Sequence, residues 1–144
     1  KYIMGLSSSL RYKQFTLGMS FRANIGNYVY NGMGMSTGAW ETVSYNNSQL
    51  NNLNTSFLKT GFKTRQYLSD YYVENASFLK LDNLSLSYNV GKISKWASLT
   101  VSAMVQNVFT ITGYSGTDPE VPNGMDNSFY PRPRTYSVSL GFQF

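Results

Sequence analysis

Hydrophobic and polar residues alternate along five separate segments of the chain. These segments are Tyr2–Arg11, Phe15–Tyr30, Ser77–Val90, Ala97–Thr112 and Arg134–Phe144. In the last segment, every second residue from Tyr136 onward is large and apolar, and the residues between them are small or polar. Since successive side chains of a strand point to opposite faces, each segment predicts a β-strand with one apolar and one polar face.

Two of the predicted strands carry further detail. Phe15–Tyr30 is much longer than an average strand of about 5–6 residues. In the third segment the alternation changes parity between FLKLDN and the leucines that follow it. An extra residue in one strand produces such a change, so the sequence predicts a bulge near Asp82 and Asn83.

The connections between the predicted strands alternate between short and long. Tyr12–Gln14 and Gly91–Trp96 are short, whereas Asn31–Asn75 and Gly113–Pro133 are long. We expect Asn31–Asn75 to be one long loop with at most a short helical turn inside SQLNNLNTSFLKTG. Outer-membrane barrels have short periplasmic turns and long outer loops, so this asymmetry favours a barrel. A soluble β-sandwich shows the same alternation, but its polar face meets the solvent and its apolar face packs in the core. Periodicity alone does not distinguish this fold from a barrel.

The composition is unusual for a soluble domain and favours strands, turns and polar loops over helices. Charged residues are 13% of the chain. Typical soluble domains contain about 25%. The sequence has no long apolar run that would predict a membrane helix. A barrel strand, by contrast, needs only about 9–11 residues to cross a membrane. The net charge of +5 comes from scattered Lys and Arg residues, so we expect no nucleic-acid partner.

The missing residue types exclude several kinds of chemistry. The chain has no Cys and no His, which excludes disulfides, thiolate or imidazole metal sites and Ser-His catalysis. The seven acidic residues lie mostly in predicted loops and form no obvious pair. The string TDPEVPNGMDN lacks the spacing of an EF-hand calcium loop. We therefore expect no enzymatic activity, no metal and no cofactor.

Five strands are too few for a closed membrane barrel. Bacterial barrels start at about eight strands, and an open sheet edge in lipid leaves backbone groups without hydrogen bonds. The first and last of five antiparallel strands run in the same direction. We therefore expect an odd number of strands outside this sequence to complete the sheet.

Three strings resemble the carboxyl-terminal strands of the SusC family, which are TonB-dependent outer-membrane transporters of Bacteroidota-type bacteria. The strings are ASFLKLDNLSLSYNV, SLTVSAMVQNVFTITGYSGTDPEV and YPRPRTYSVSLGFQF, and GNYVYNG also fits the family. The resemblance is weakest over Gly34–Tyr67. It implies an all-β fold in which residues 1–144 are the carboxyl-terminal segment of one barrel domain. They would be the last five antiparallel strands of a 22-stranded transmembrane β-barrel, with long extracellular loops and short periplasmic turns.

The resemblance also implies a location and partners. Family members sit in the bacterial outer membrane and import oligosaccharides or peptides with a SusD-like surface lipoprotein as a lid. The implied partners are the remaining strands and plug of the same barrel, membrane lipid, and the TonB complex acting through an amino-terminal part absent from this sequence. Two alternatives stay open: a soluble β-sandwich carbohydrate-binding module, and an outer-membrane barrel or adhesin without transport.

Aromatic residues in the predicted loops are candidate contacts to a ligand or to the lid, because aromatic rings stack on sugars. Arg132 joins them because its planar fork suits carboxylates. The alternatives are girdle or loop-core packing for the rings, and pairing with Asp118, Glu120 or Asp126 for the arginine. The candidates are Trp40, Tyr45, Tyr71, Tyr72, Tyr114, Tyr130 and Arg132.

Two further sets of residues follow from the barrel interpretation. Arg22 and Gln106 lie on the polar face of their strands, so we expect them to line the lumen. A last strand that ends in Phe resembles the signal by which the barrel assembly machinery recognises its clients. That signal would consist of Leu140, Phe142 and Phe144, which would also face lipid.

Overall fold

Strands dominate the structure, which is a computed structural model that describes residues 1–44, 52–127 and 130–144. Short helices α1 (Gly32–Thr37), α2 (Glu41–Ser44) and α3 (Phe57–Thr60) and one 3₁₀ turn (Asp70–Tyr72) lie between the third and fourth strands. Among the described residues, no helix is both long and apolar enough to span a membrane. The strands are β1 (Tyr2–Tyr12), β2 (Phe15–Ile25), β3 (Tyr28–Asn31), β4 (Val73–Asn75), β5 (Phe78–Ser94), β6 (Ala97–Thr112), β7 (Met125–Asp126) and β8 (Thr135–Gln143).

The described strands form two sheets that belong to two compact units. The sheet unit (Lys1–Ile25, Phe78–Thr112 and Arg132–Phe144) holds a five-stranded sheet in the order β1-β2-β5-β6-β8. All neighbouring strands in it are antiparallel. The loop unit (Gly26–Ser77 and Gly113–Pro131) holds a small sheet in the order β4-β3-β7. The five predicted strands and their antiparallel order are confirmed by the first sheet.

The pairing register keeps apolar residues on one face of the sheet unit. One lateral row joins Leu10, Leu17, Leu86, Ala103 and Val138 across all five strands. The adjacent row on the opposite face has mostly small or polar side chains: Ser9, Gly18, Ser85, Met104 and Ser137. Since side chains alternate with period two, this register separates the two faces over the whole sheet.

A bulge interrupts the register where the sequence predicts one. The pairing of β5 with β2 and with β6 shifts beside Asp82, between Leu81 and Asn83. On β6 the same irregularity contains Asn107, whose φ of 53° lies in the left-handed region. Asn adopts this conformation more readily than most residues. Its side-chain Nδ2 donates to the carbonyl oxygen of Arg132 at 2.6 Å.

Asn107 provides a test of backbone strain at the bulge. Asn107→Ala is expected to destabilise the sheet by about 1–3 kcal/mol, because a left-handed alanine is strained and the bond to Arg132 is lost. Asn107→Gly loses the same bond without the strain, so it should cost less. Thermal unfolding of the full protein in detergent measures both. Equal losses for the two variants would show that strain at this position is not the cause.

Three boundaries differ from the sequence prediction. The long second strand ends at Ile25 because Gly26, at a φ of 75°, leaves the extended conformation. The chain then enters β3, which pairs with β4 and β7. β5 continues to Ser94, past the predicted end at Val90, so the turn before β6 contains only Lys95 and Trp96. The described part of the predicted single loop Asn31–Asn75 contains α1, α2, α3, the 3₁₀ turn and β4.

Candidate functional site

The apolar face of the sheet unit is exposed. Leu86 at the centre of the sheet keeps 47% of its surface exposed, and Val138 on β8 keeps 77%. A soluble monomer rarely exposes a contiguous apolar patch of more than a few hundred Å². Exposed apolar residues on this face occur on every strand of the sheet: Tyr2, Met4, Leu6, Leu10, Phe15, Leu79, Leu86, Phe109, Ile111, Tyr136, Val138, Leu140 and Phe142.

The opposite face of the sheet unit carries hydrogen-bonding side chains. The Arg22 guanidinium binds the Asp82 carboxylate through two bonds, Nε to Oδ2 at 2.5 Å and Nη2 to Oδ1 at 2.9 Å. Ser102 Oγ donates to Ser87 Oγ at 2.9 Å. Gln106 lies on this face too, in the same lateral row as Asn83 on β5. Arg22 and Gln106 therefore lie on the polar face, and their exposure to a lumen stays a prediction.

A carboxylate network joins three segments of the loop unit. Glu74 Oε1 accepts hydrogen bonds from Asn31 Nδ2 at 2.8 Å and from Ser115 Oγ at 2.7 Å. Glu74 Oε2 accepts a bond from the Ser115 backbone N–H at 2.9 Å. Asn31 also caps α1, since its Oδ1 accepts from Gly34 N at 2.6 Å. The network ties the end of β3, β4 and the segment after β6 together.

Tyr114 lies at the centre of the loop-unit core. It packs with Val29 and Ala76, and the half-buried Val121 contacts this cluster. Its hydroxyl donates to Asp126 Oδ2 at 2.8 Å, and Asp126 itself is buried. Burial, and then the hydrogen bond to the Asp126 carboxylate, raise the pKa of Tyr114.

Tyr72 is a second tyrosine of the loop unit with a perturbed hydroxyl. Burial raises its pKa, with a smaller contribution from the neighbouring Tyr71. Both tyrosines therefore keep their protons in the folded state at pH values where an exposed tyrosine begins to lose its own.

These raised values predict that the loop unit loses stability at high pH. An unfolded tyrosine releases its proton near pH 10, whereas Tyr114 keeps it in the folded state. Above about pH 10 the folded state therefore binds more protons than the unfolded state, and stability falls as pH rises. Below that pH the contribution is fully present.

Proteolysis at two pH values measures this loss. Subtilisin digestion of the full protein is compared at about pH 8 and about pH 10.5, on either side of the tyrosine titration. New cuts within Gly26–Ser77 and Gly113–Pro131 should appear only at the higher pH. Tyr114→Phe has no ionisable hydroxyl and serves as the control, in which the increase should shrink. An equal increase in both proteins would exclude Tyr114 as the titrating group.

The loop unit also contains an open cavity of about 630 Å³. Most of its lining residues have polar side chains, and Tyr71, which is 49% exposed, contributes an aromatic ring. Edge-on contacts with Phe62 at 5.4 Å and Tyr72 at 5.1 Å hold that ring. The lining includes Asn31, Ser56, Lys59, Tyr71, Tyr72 and Glu74.

The structure divides the predicted contact residues into two groups. Trp40, Tyr71, Tyr130 and Arg132 are exposed, so their side chains are accessible to a ligand or a lid, and that role stays a prediction for each. Tyr72 and Tyr114 are only 2% and 6% exposed. Their rings present no open face, so the alternative interpretation, packing in the core of the loops, applies to these two. Tyr45 lies outside the described residues.

The predicted assembly signal lies on β8 and just after it. Leu140 pairs with Val101 and Phe142 pairs with Leu99, both on the apolar face. Phe144 follows the end of the strand and is exposed. Their role in barrel assembly stays a prediction.

Sequence reasoning missed the polar residues that organise the loop unit. Asn31 was detectable, because an Asn placed before a Gly-rich helical turn is a good N-cap. Glu74 and Ser115 were not, because they lie 41 positions apart and no local pattern joins them.

Known proteins resemble this chain along nearly all of its length, although no family model matches it. TonB-dependent receptor SusC of Bacteroides thetaiotaomicron is 38% identical over 152 aligned positions, which cover 99% of this chain. TonB-dependent receptor P3 of Formosa agariphila is 29% identical over 99% of this chain. The chain spans only 15% and 16% of the length of these two relatives.

Solved structures of the RagAB peptide importer show the same fold. The open-open state superimposes with a TM-score of 0.75 at 23% identity, covering 99% of this chain and 17% of that one. The closed-closed state gives 0.73 at 21% identity, covering 96% and 16%. The predicted fold is confirmed: the five-stranded antiparallel sheet matches a segment of these large β-barrels. The relatives and solved structures named here are described as receptors and importers, not as enzymes.

Proposed function

Since this chain belongs to the SusC type of TonB-dependent receptors, we propose that it forms part of the wall and outer loops of a transporter in the bacterial outer membrane. The transporter imports oligosaccharides or peptides. The observation that carries the proposal is the exposed apolar face, which extends over all five strands of the sheet unit.

The two faces of the sheet match the two environments of a barrel wall. Lipid solvates an apolar outer face, whereas a lumen contains water and tolerates polar and charged groups. The Arg22–Asp82 pair and the Ser87–Ser102 bond lie on the face expected in the lumen. A soluble sandwich would cover its apolar face with a second sheet. The exposure of Leu86 argues against that alternative.

The loop unit supplies the surface expected at the outer side of the membrane. We propose that it contacts a SusD-like lipoprotein lid through exposed residues such as Trp40 and Tyr130. The exposed Arg132 of the sheet unit is a separate candidate contact. The energy would come from the TonB complex through parts of the protein outside this sequence. RagAB is described as a peptide importer, which supports peptides as one substrate class. The resemblance to SusC supports oligosaccharides as the other.

Uptake by intact cells tests the proposal. Deletion of the gene that encodes the full protein should abolish uptake of its labelled oligosaccharide or peptide, and reintroduction should restore it. The detergent-purified protein should contain a much longer polypeptide and a co-purifying lipoprotein, which mass spectrometry identifies. A protein that is monodisperse without detergent, or uptake that does not change in the deletion strain for either substrate class, would contradict the proposal.

A further inference from the structure

We propose that the short turn between β1 and β2 binds the phosphate group of an anionic phospholipid at the membrane surface. The inference rests on the proposed function, because that function places the sheet unit in a membrane with its short turns at one interface. The turn consists of Lys13 and Gln14, since Tyr12 and Phe15 on either side of it form the last cross-strand pair of β1 and β2. Both turn residues are exposed, so a lipid headgroup can reach them.

A row of aromatic rings lies beside this turn. Cross-strand pairing places Tyr12, Phe15 and Tyr88 next to one another on the apolar face, in the row that follows the one containing Leu86. The ring centroids of Phe15 and Tyr88 are 4.7 Å apart, and Tyr12 keeps 70% of its surface exposed. Transmembrane barrels carry girdles of aromatic residues at the two membrane interfaces. The row therefore places the turn at the level of the lipid headgroups.

The charge at the turn is positive, and no acidic side chain lies close enough to balance it. Arg11 and Lys13 supply the positive charge. Asp82 is the one acidic residue in the three described segments of the sheet unit, and it binds Arg22. Asp82 precedes Tyr88 by six positions on β5, which corresponds to about 20 Å along a strand. Salt screens exposed charges beyond about 8–10 Å, so the turn attracts anions without competition from Asp82.

Lys13 adopts a backbone conformation that is rare for lysine. Its φ of 53° lies in the left-handed region, and two-residue hairpin turns with this conformation favour Asn and Gly. Two bonds from β5 hold the turn: the Asn89 backbone N–H donates to the Gln14 carbonyl oxygen at 2.9 Å, and the Tyr88 hydroxyl donates to Gln14 Oε1 at 3.3 Å. Strained residues that their surroundings hold in place cluster at ligand sites. A lysine in this position therefore indicates a use for its ammonium group.

The turn supplies the donors that a phosphate requires. Lys13 Nζ lies 5.4 Å from the centroid of the Tyr12 ring, so the ammonium group is beside the aromatic row. Gln14 Oε1 accepts the bond from Tyr88, which leaves the two N–H donors of the amide for a ligand. A phosphate diester is an anion and accepts charge-assisted bonds from such donors. Its acyl chains would continue along the apolar face towards Leu86. An acidic protein segment would match the charge but not this apolar surface.

The other short turn of the sheet unit has a similar composition. Lys95 and Trp96 connect β5 to β6, and Lys92 precedes them near the end of β5. All three are exposed, and Trp96 keeps 82% of its surface accessible. Lysine beside exposed aromatic rings is therefore a property of this edge of the sheet. Each lysine near an anionic membrane surface strengthens the attraction to it.

Photo-crosslinking of the full protein in detergent tests the inference. The probe is a phosphatidylglycerol with a diazirine on one acyl chain, and mass spectrometry quantifies its crosslinks to peptides that span residues 10–17. Unlabelled phosphatidylglycerol should displace the probe at concentrations about fivefold lower than phosphatidylcholine, because one lysine favours an anionic headgroup by about this factor. Lys13→Asn should abolish the preference. Lys63→Asn removes an exposed lysine of the loop unit and is the matched control, which should keep it.

Lys13→Asn also separates binding from folding. Asparagine adopts a left-handed φ more readily than lysine, so the thermal stability of this variant should equal or exceed that of Lys63→Asn while the preference for phosphatidylglycerol falls. A lower stability of Lys13→Asn would overturn the inference, since Lys13 would then have a structural role. Equal displacement by the two lipids in the unchanged protein would overturn it as well.

Two further competitors distinguish the lipid from other anions. Inorganic phosphate that displaces the probe as well as phosphatidylglycerol does would overturn the lipid assignment in favour of a free-phosphate site. Poly-glutamate that displaces it better would overturn the assignment in favour of an acidic protein partner. Uptake by cells is measured separately, so uptake that persists despite any of these results would leave the proposed function intact.

Discussion

Replacement of Leu86 with arginine is expected to remove most of the folded protein from the outer membrane. Leu86 is the middle residue of β5 and the centre of the apolar row that crosses the sheet. An arginine on the lipid-facing side near the bilayer midplane costs about 2–4 kcal/mol. A loss of even about 1–2 kcal/mol changes the abundance of a protein several-fold in cells, so the expected decrease is large. Membrane fractionation with heat-modifiable gel migration measures the folded barrel.

Ser87→Arg is the matched control for this result. The residue is one position along the same strand and points to the opposite face, where its Oγ accepts a bond from Ser102. A polar face in contact with water accepts an arginine at little cost beyond that lost bond, about 0.5–1.5 kcal/mol. We therefore expect nearly normal levels of this variant. Equal losses for both variants, or a loss only for Ser87→Arg, would contradict the assignment of the two faces.

The sheet could be predicted from sequence because its signals are local and periodic. Alternation identified all five strands, and the parity change beside Asp82 located the bulge. The same alternation predicted that Leu140 and Phe142 lie on the apolar face of β8, where both pair with apolar residues of β6. Periodicity did not determine which face meets water. The exposure of Leu86 supports the assignment of the apolar face to lipid that the proposed function makes.

The loop unit could not be predicted from sequence because its contacts are distant along the chain. Apolar residues of both Phe15–Ile25 and Tyr28–Asn31 continue one alternating pattern, so only the conformation of Gly26 marks the end of β2. β7 joins β3 in a parallel pair between residues that lie far apart in sequence. Parallel strands need a long connection, so no local pattern reveals such a pair.

The candidate site shows the same division between local and distant signals. Composition indicated that aromatic residues of the loops would matter, and Tyr71 lies at the edge of the cavity. It could not separate Tyr71 from Tyr72, which is its neighbour in sequence but is buried, because burial depends on tertiary packing. Ser56 and Glu74 line the same cavity only because the fold brings their segments together.

The largest expected effect in the loop unit comes from Tyr114→Ala. Tyr114 packs in the core with Val29 and Ala76. Truncation of a large buried aromatic residue typically costs about 3–5 kcal/mol. The truncation also removes the hydroxyl that donates to the buried Asp126. Tyr114→Phe keeps the packing and loses only that bond, so its cost should be about 1–3 kcal/mol. Hydrogen exchange followed by mass spectrometry measures the local loss of protection.

The pattern of exchange decides whether Tyr114 stabilises the loop unit through packing or through its hydrogen bond. If packing dominates, peptides from Gly26–Ser77 and Gly113–Pro131 should lose much more protection in Tyr114→Ala than in Tyr114→Phe. If both variants lose the same protection, the bond to Asp126 is the main contribution.

Tyr67 is an exposed tyrosine of the same unit and provides the control. A surface substitution such as Tyr67→Ala should change stability by no more than about 0.5 kcal/mol. Because the proposed lid would dock on ordered loops, uptake should fall with protection in Tyr114→Ala even when the amount of folded barrel is normal.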